Sequence, residues 1–229
     1  MAIQLPLGLG LREEVSFENF IPDGNELLID ALVTTHPKDN MIYIWGGGSV
    51  GKTHLLHAWC KQQSERGLSV AFLPLAQCEE LAPDMCHGLE TLDAVCIDDV
   101  HAIAGQSEWE EALFHLYNRL RDAGKLMLIS ATNAPGGLGF KLADLVSRLN
   151  AALVFHMSTL SDSEKARVLK LRASERGLVL SDEVVQYLMR HYPRDMAALV
   201  GVLNTLDKAS LAAQRKLTIP FVKQVLQSE

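Results

Sequence analysis

Gly46, Gly47, Gly48, Ser49, Val50, Gly51, Lys52 and Thr53 set a glycine, four free positions, then glycine, lysine and a hydroxyl in unbroken order, a spacing suited to gripping phosphate. Glycines let successive backbone N–H groups turn inward around phosphate oxygens, and a helix that follows adds the positive end of its dipole. Lys52 is expected to reach the terminal phosphates and Thr53 to hold Mg²⁺, with His54, the next residue, completing the nucleotide-facing set. The flanks agree, since Met41, Ile42, Tyr43, Ile44 and Trp45 read as a buried strand entering the loop and residues 54–64 as a helix leaving it.

A second group carries carboxylates. Residues 94–97 form an apolar run that ends in Asp98 and Asp99. If the strands are parallel, both acids lie at the sheet edge of the glycine loop, where Asp98 would orient Mg²⁺ and Asp99 would polarise an attacking water. Thr132 and Asn133 end another apolar strand, placed either to touch a terminal phosphate or its water, or simply to form the polar turn before Pro135. Arg148 follows Asp144 by four residues, the spacing of an ordinary surface ion pair. Arg194 puts a cation at the positive end of a helix, which calls for a neutralising anion, either a phosphate or neighbouring Asp195. His54, His57 and Cys60 recur every three residues on one helix, a pattern better explained by packing than by metal, since no fourth ligand is apparent. Gln4, Leu5, Leu7 and Leu9 belong to a start with leucine at alternate places, which reads as an extended peptide for pockets on a partner or as a disordered start.

The elements that must position these groups follow from the apolar runs. Residues 41–45, 68–73, 94–97, 126–130 and 152–155 read as strands, continuous in apolar character as parallel strands covered on both faces should be, and helical stretches such as 108–122 separate them. We therefore expect an α/β three-layer domain with a five-stranded parallel sheet over residues 16–160. Ser161 and Glu164 then have capping-box spacing and open an all-helical region, a small domain of four helices over 161–229. Residues 1–15 stand apart as the extended segment. With 229 residues and 48% hydrophobic content the chain can bury a large core. A net charge of −7 argues against gripping duplex DNA directly. No run reaches the length of a membrane span and no signal peptide is visible, so a cytoplasmic place and no membrane partner are expected. The four cysteines form no C-x-x-C pair, so neither disulfides nor structural zinc is expected.

Taken together, the glycine loop, the Asp98-Asp99 pair, the polar end of the fourth strand, an arginine before the fifth and one opening the third helix of the last domain resemble the AAA+ module. Within it the chain is similar over its whole length to the family of the replication initiator DnaA and its regulatory relative Hda, notably at residues 212–223. The resemblance implies ADP or ATP with Mg²⁺ as ligand, Arg148 as an arginine finger reaching a neighbouring subunit's nucleotide, and Arg194 as the lid's sensor arginine. It implies that residues 17–21, with Phe20 and Ile21, pack near the adenine, and that Gln4, Leu5, Leu7 and Leu9 dock on the DNA polymerase sliding clamp, although Gly8 stands where an aromatic is often found. Asp99 stands where most relatives carry the longer glutamate, which implies weak or absent intrinsic turnover. An initiator continues into a basic helix-turn-helix domain where this sequence ends, so DNA would be met only through the clamp, with nucleoid association by that route. The implied function is regulatory inactivation of DnaA: stimulation of its ATP hydrolysis in trans, preventing re-initiation. An autonomous AAA+ ATPase or helicase loader, and a pure adaptor, are the alternatives. Side-by-side homo-oligomers are also an expectation of the module.

Overall fold

The protein is described by a computed structural model covering residues 15–226, except 19, 23, 35–39 and 194. Apart from loop residues 48–50, it divides into two compact units at Ser158 and Thr159. The first unit begins with a helix not anticipated from the pattern, α1 (Glu26–Thr34), whose Leu28 and Leu32 lie one turn apart and are both buried. Next come β1 (Met41–Trp45), α2 (Lys52–Glu65), β2 (Val70–Pro74), β3 (Ala94–Asp98), α3 (Ser107–Asp122), β4 (Leu126–Ala131), α4 (Ala143–Asn150) and β5 (Leu153–His156).

All strand pairings are parallel, in the order β2-β3-β4-β1-β5. The α/β three-layer architecture expected from the alternating runs is thus the observed one. Because β4 lies between β1 and β3, the loop after β1, the acids ending β3 and the residues following β4 meet at one sheet edge, where strand order favours a ligand crevice. Covering on both faces explains the unbroken apolar strands: Val95 and Ile97 join Leu113, Leu116 and Leu120 of α3 in one core cluster. From the same strand, the Cys96 thiol donates to the Leu56 carbonyl of α2 at 3.8 Å. Each such leucine, fully withdrawn from water, contributes about 1.5–3 kcal/mol. The edge strand differs from the expected covered strand, because β5 pairs only with β1 and leaves Leu153 and Val154 39% and 37% exposed.

In the second unit stand α5 (Asp162–Glu175), α6 (Asp182–His191), α7 (Met196–Ala213) and α8 (Ile219–Leu226). The capping box is formed as its spacing predicts, with Ser161 Oγ accepting from the Glu164 N–H and the Glu164 carboxylate accepting from the Ser161 N–H. Leu169, Leu188, Leu199, Leu203 and Phe221 fill the core between the four helices. α7 opens at Met196 rather than at Arg194, where the sequence pattern sets its start: Asp195 is the N-cap, its Oδ1 accepting from the Ala198 N–H at 2.8 Å. A carboxylate there meets the positive end of the helix. Among the described residues no helix is long and apolar enough to cross a membrane.

Candidate functional site

The glycine loop turns sharply between β1 and α2. Ser49 and Gly51 adopt left-handed backbone, with φ of 58° and 99°, and a Cβ on Gly51 would come within 3.0 Å of the Phe20 ring. Glycine is therefore required at 51 both for conformation and for space. The Gly46 N–H donates to the Ala131 carbonyl at 3.2 Å, tying the start of the loop to the end of β4. Phe20 also stacks on His54 at 5.8 Å between centroids, and His54 Nε2 lies 3.0 Å from the Ser16 carbonyl. The structure thus brings Phe20 and His54 to the exit of the loop, with Ile21 partly exposed beside them in sequence.

Lys52 is 7% exposed, and its ammonium donates to the carbonyls of Gly46 and Gly47 at 2.9 and 2.8 Å. Burial lowers its pKa, and the nearby charges of Asp99 and Asp98 oppose that shift. Two of its three donors are held by neutral oxygens, which leaves a buried cation with capacity for an anion.

At the end of β3, Asp98 is 5% exposed and accepts from Thr53 Oγ1 at 2.8 Å and from Ser130 Oγ at 2.5 Å. Ser130 Oγ accepts in turn from the Asp99 N–H at 2.9 Å. This serine was missed in the reading of motifs; its only sequence signal is a hydroxyl inside an apolar strand. Asp99 is left-handed at φ 55°, and its carboxylate lies 3.9 Å from His101 Nδ1. Burial and then the adjacent Asp98 charge raise its pKa, against His101 and Lys52. Thr132 and Asn133 follow β4, and the Asn133 carbonyl accepts from the hydroxyl of fully buried Tyr43 at 2.8 Å, a second contact the motifs do not reveal. His57, for its part, stacks on Phe72 of β2 at 4.3 Å.

Arg148 occupies the last turn of α4, partly buried, close enough to Tyr117 for its charge to lower that phenol's pKa against the dominant effect of burial. The ion pair that spacing alone offers with Asp144 is not formed, and among the described residues no carboxylate lies within ion-pair distance of Arg148. Arg194, Gln4, Leu5, Leu7 and Leu9 lie outside the described residues.

These residues fit a magnesium nucleotide. The buried Lys52 offers positive charge without a carboxylate in contact, and Thr53 with Asp98 offers one hydroxyl and one carboxylate. That is the sparse oxygen set with which Mg²⁺ binds beside phosphates, rather than a closed protein cage. Among the described residues no group of three or more His, Cys, Asp or Glu could hold a metal ion.

Comparison with known proteins agrees with this geometry. The family model for the bacterial DnaA ATPase domain matches residues 11–156. The chain belongs to the DnaA-related AAA+ family. The model for the Hda lid domain matches residues 162–226, so a DnaA-like ATPase domain is followed by an Hda-type lid. An uncharacterised protein of Haemophilus influenzae is 42% identical over 226 residues, 97% of this chain and 98% of its own length. Among solved structures, domain III of the Thermotoga maritima replication initiation protein DnaA matches 95% of this chain and 97% of its own at 24% identity, with a TM-score of 0.81. AMPPCP-bound DnaA of Aquifex aeolicus matches 88% of this chain and 67% of its own, at 24% identity and a TM-score of 0.73. These structures support the AAA+ fold with its helical lid.

Proposed function

We propose that this protein is a nucleotide-bound regulator that inactivates the initiator DnaA, docking on the DNA-loaded sliding clamp through Gln4, Leu5, Leu7 and Leu9 and lending Arg148 to the ATP site of DnaA. Hydrolysis in the partner then blocks re-initiation. The resident ligand is ADP or ATP with Mg²⁺, a reading supported by the Lys52, Thr53 and Asp98 arrangement and by a relative that holds AMPPCP. Protein placed by the clamp would sit with the nucleoid in the cytoplasm.

The observation that carries the proposal is Arg148. A guanidinium that is partly buried yet has no carboxylate partner among the described residues is suited to an anion on another chain. Within α4 the carbonyl end of the helix favours the charge at home. A finger supplied in trans raises a neighbour's rate by about 10³–10⁵, so a chain with little turnover of its own can still be a strong activator. The test is ATP turnover by the initiator with clamp-loaded DNA, with parent protein and with Arg148→Ala. Equal stimulation by the two proteins refutes the finger, and a sliding-clamp pull-down unchanged by Gln4→Ala refutes the docking peptide. The complete Thr53, Asp98 and Ser130 network favours one second reading, an autonomous ATPase. Steady-state hydrolysis by the isolated chain, abolished by Asp98→Asn, would select it.

A further inference from the structure

Glu110 is a carboxylate with 0% exposure that the nucleotide site does not use. Among the described residues no cation pairs with it. Its Oε1 accepts from the Gly105 N–H at 2.7 Å, and its Oε2 accepts from the N–H groups of Lys141 and Leu142, both at 2.8 Å. A buried charge persists only when its hydrogen bonds are complete, and three short charge-assisted bonds complete this one.

The segments it joins give those bonds a purpose. Gly105, at φ +87°, closes the turn that follows Asp98 and Asp99. Leu142 is the N-cap of α4 and has no side-chain cap of its own. A carboxylate from α3 instead holds the N–H groups of Lys141 and of the N-cap residue itself, just ahead of the first turn and with the sign that the helix dipole favours. Leu145 and Leu149 of α4 are fully buried and hold its inner face, while Glu110 holds its start. Arg148 stands on the last turn of the helix so mounted.

We propose that Glu110 is a positioning residue for Arg148, fastening the loop beyond the β3 acids to the start of α4 so that the arginine is presented in one place. This rests on the finger reading above. Among the described residues Arg148 has no carboxylate partner to correct its aim, and a misplacement of about 1 Å can cost on the order of 10²-fold in rate.

Glu110→Gln tests it in the full chain. The amide turns its NH₂ toward one set of donors; facing Gly105 it loses one bond, facing Lys141 and Leu142 it loses two. The retained arrangement keeps the α4 bonds and releases Gly105. Maximal stimulation of the initiator should fall at least about threefold with Gln and about tenfold with Ala, while the half-saturating concentration and adenine nucleotide affinity stay within about twofold. In an Arg148→Ala background, Glu110→Gln should cost nothing further. Amide exchange at Gly105 should quicken about tenfold in Glu110→Gln. An unchanged maximal rate, or the same loss in both backgrounds, overturns the proposal. If Arg148→Ala is itself silent, the finger reading has failed, and unchanged exchange at Gly105, Lys141 and Leu142 in Glu110→Ala would show that the mounting role has failed as well.

Discussion

Replacing Ser130 by alanine removes one oxygen and almost no volume, so its cost isolates hydrogen bonding from packing. Ser130 is fully buried; its Oγ donates to Asp98 Oδ1 at 2.5 Å and accepts from the Asp99 N–H at 2.9 Å. The variant leaves a buried carboxylate oxygen and a part-buried N–H without their partner. A hydrogen bond to a charged group contributes about 1.5–3 kcal/mol, and a stranded neutral donor costs about 1–3 kcal/mol. Asp99 is 31% exposed at its side chain, so water relieves part of the second cost, and about 3 kcal/mol in all is expected. The three tryptophans, Trp45, Trp59 and Trp109, all belong to the first unit, so urea unfolding followed by their fluorescence reports that unit alone. In an Asp98→Ala background the same change should cost only about 1 kcal/mol, because the Asp99 N–H alone loses a partner. A loss below about 0.5 kcal/mol in the parent, or equal losses in both backgrounds, refutes the bridging role.

Lys52→Met should abolish adenine nucleotide uptake in calorimetry without lowering the fluorescence-detected stability of the free protein, since burial already disfavours the ammonium. Tyr43→Phe should cost about 1 kcal/mol through the lost bond to the Asn133 carbonyl; no change in the urea midpoint would show that bond to be idle. Burial pushes the Cys86 thiol up to about 11 from an ordinary 9.0, with Arg119 opposing. Between those values the unfolded chain has released a proton that the folded chain keeps, so stability falls with rising pH by about 1.4 kcal/mol per unit. Cys86→Ala should flatten that alkaline slope, and a slope identical in parent and variant would contradict it.

Much of this protein is written locally. The run from Gly46 to Thr53 demands a left-handed glycine at 51 and a helix start at Lys52, and both are present because adjacent dihedrals and a bond to the next turn are all they require. The Ser161 and Glu164 capping box is equally local, spanning four residues. Apolar runs mark the strands because both sheet faces are covered, and they mislead at β5, where position in the sheet rather than composition leaves Leu153 and Val154 open.

The site itself needed the fold. No spacing in the chain announces that Ser130 joins Asp98 to Asp99, that Tyr43 holds the turn at Asn133 across 90 positions, or that Glu110 holds the N–H of Leu142, the N-cap of α4, 32 positions later. Sequence by itself determined most of the strands and helices, though not α1, and which loop can grip phosphate, because those choices rest on bonds among near neighbours. Only the tertiary structure decided which polar groups meet, because strand order and helix packing bring distant residues into one dry space where each unpaired group would be costly.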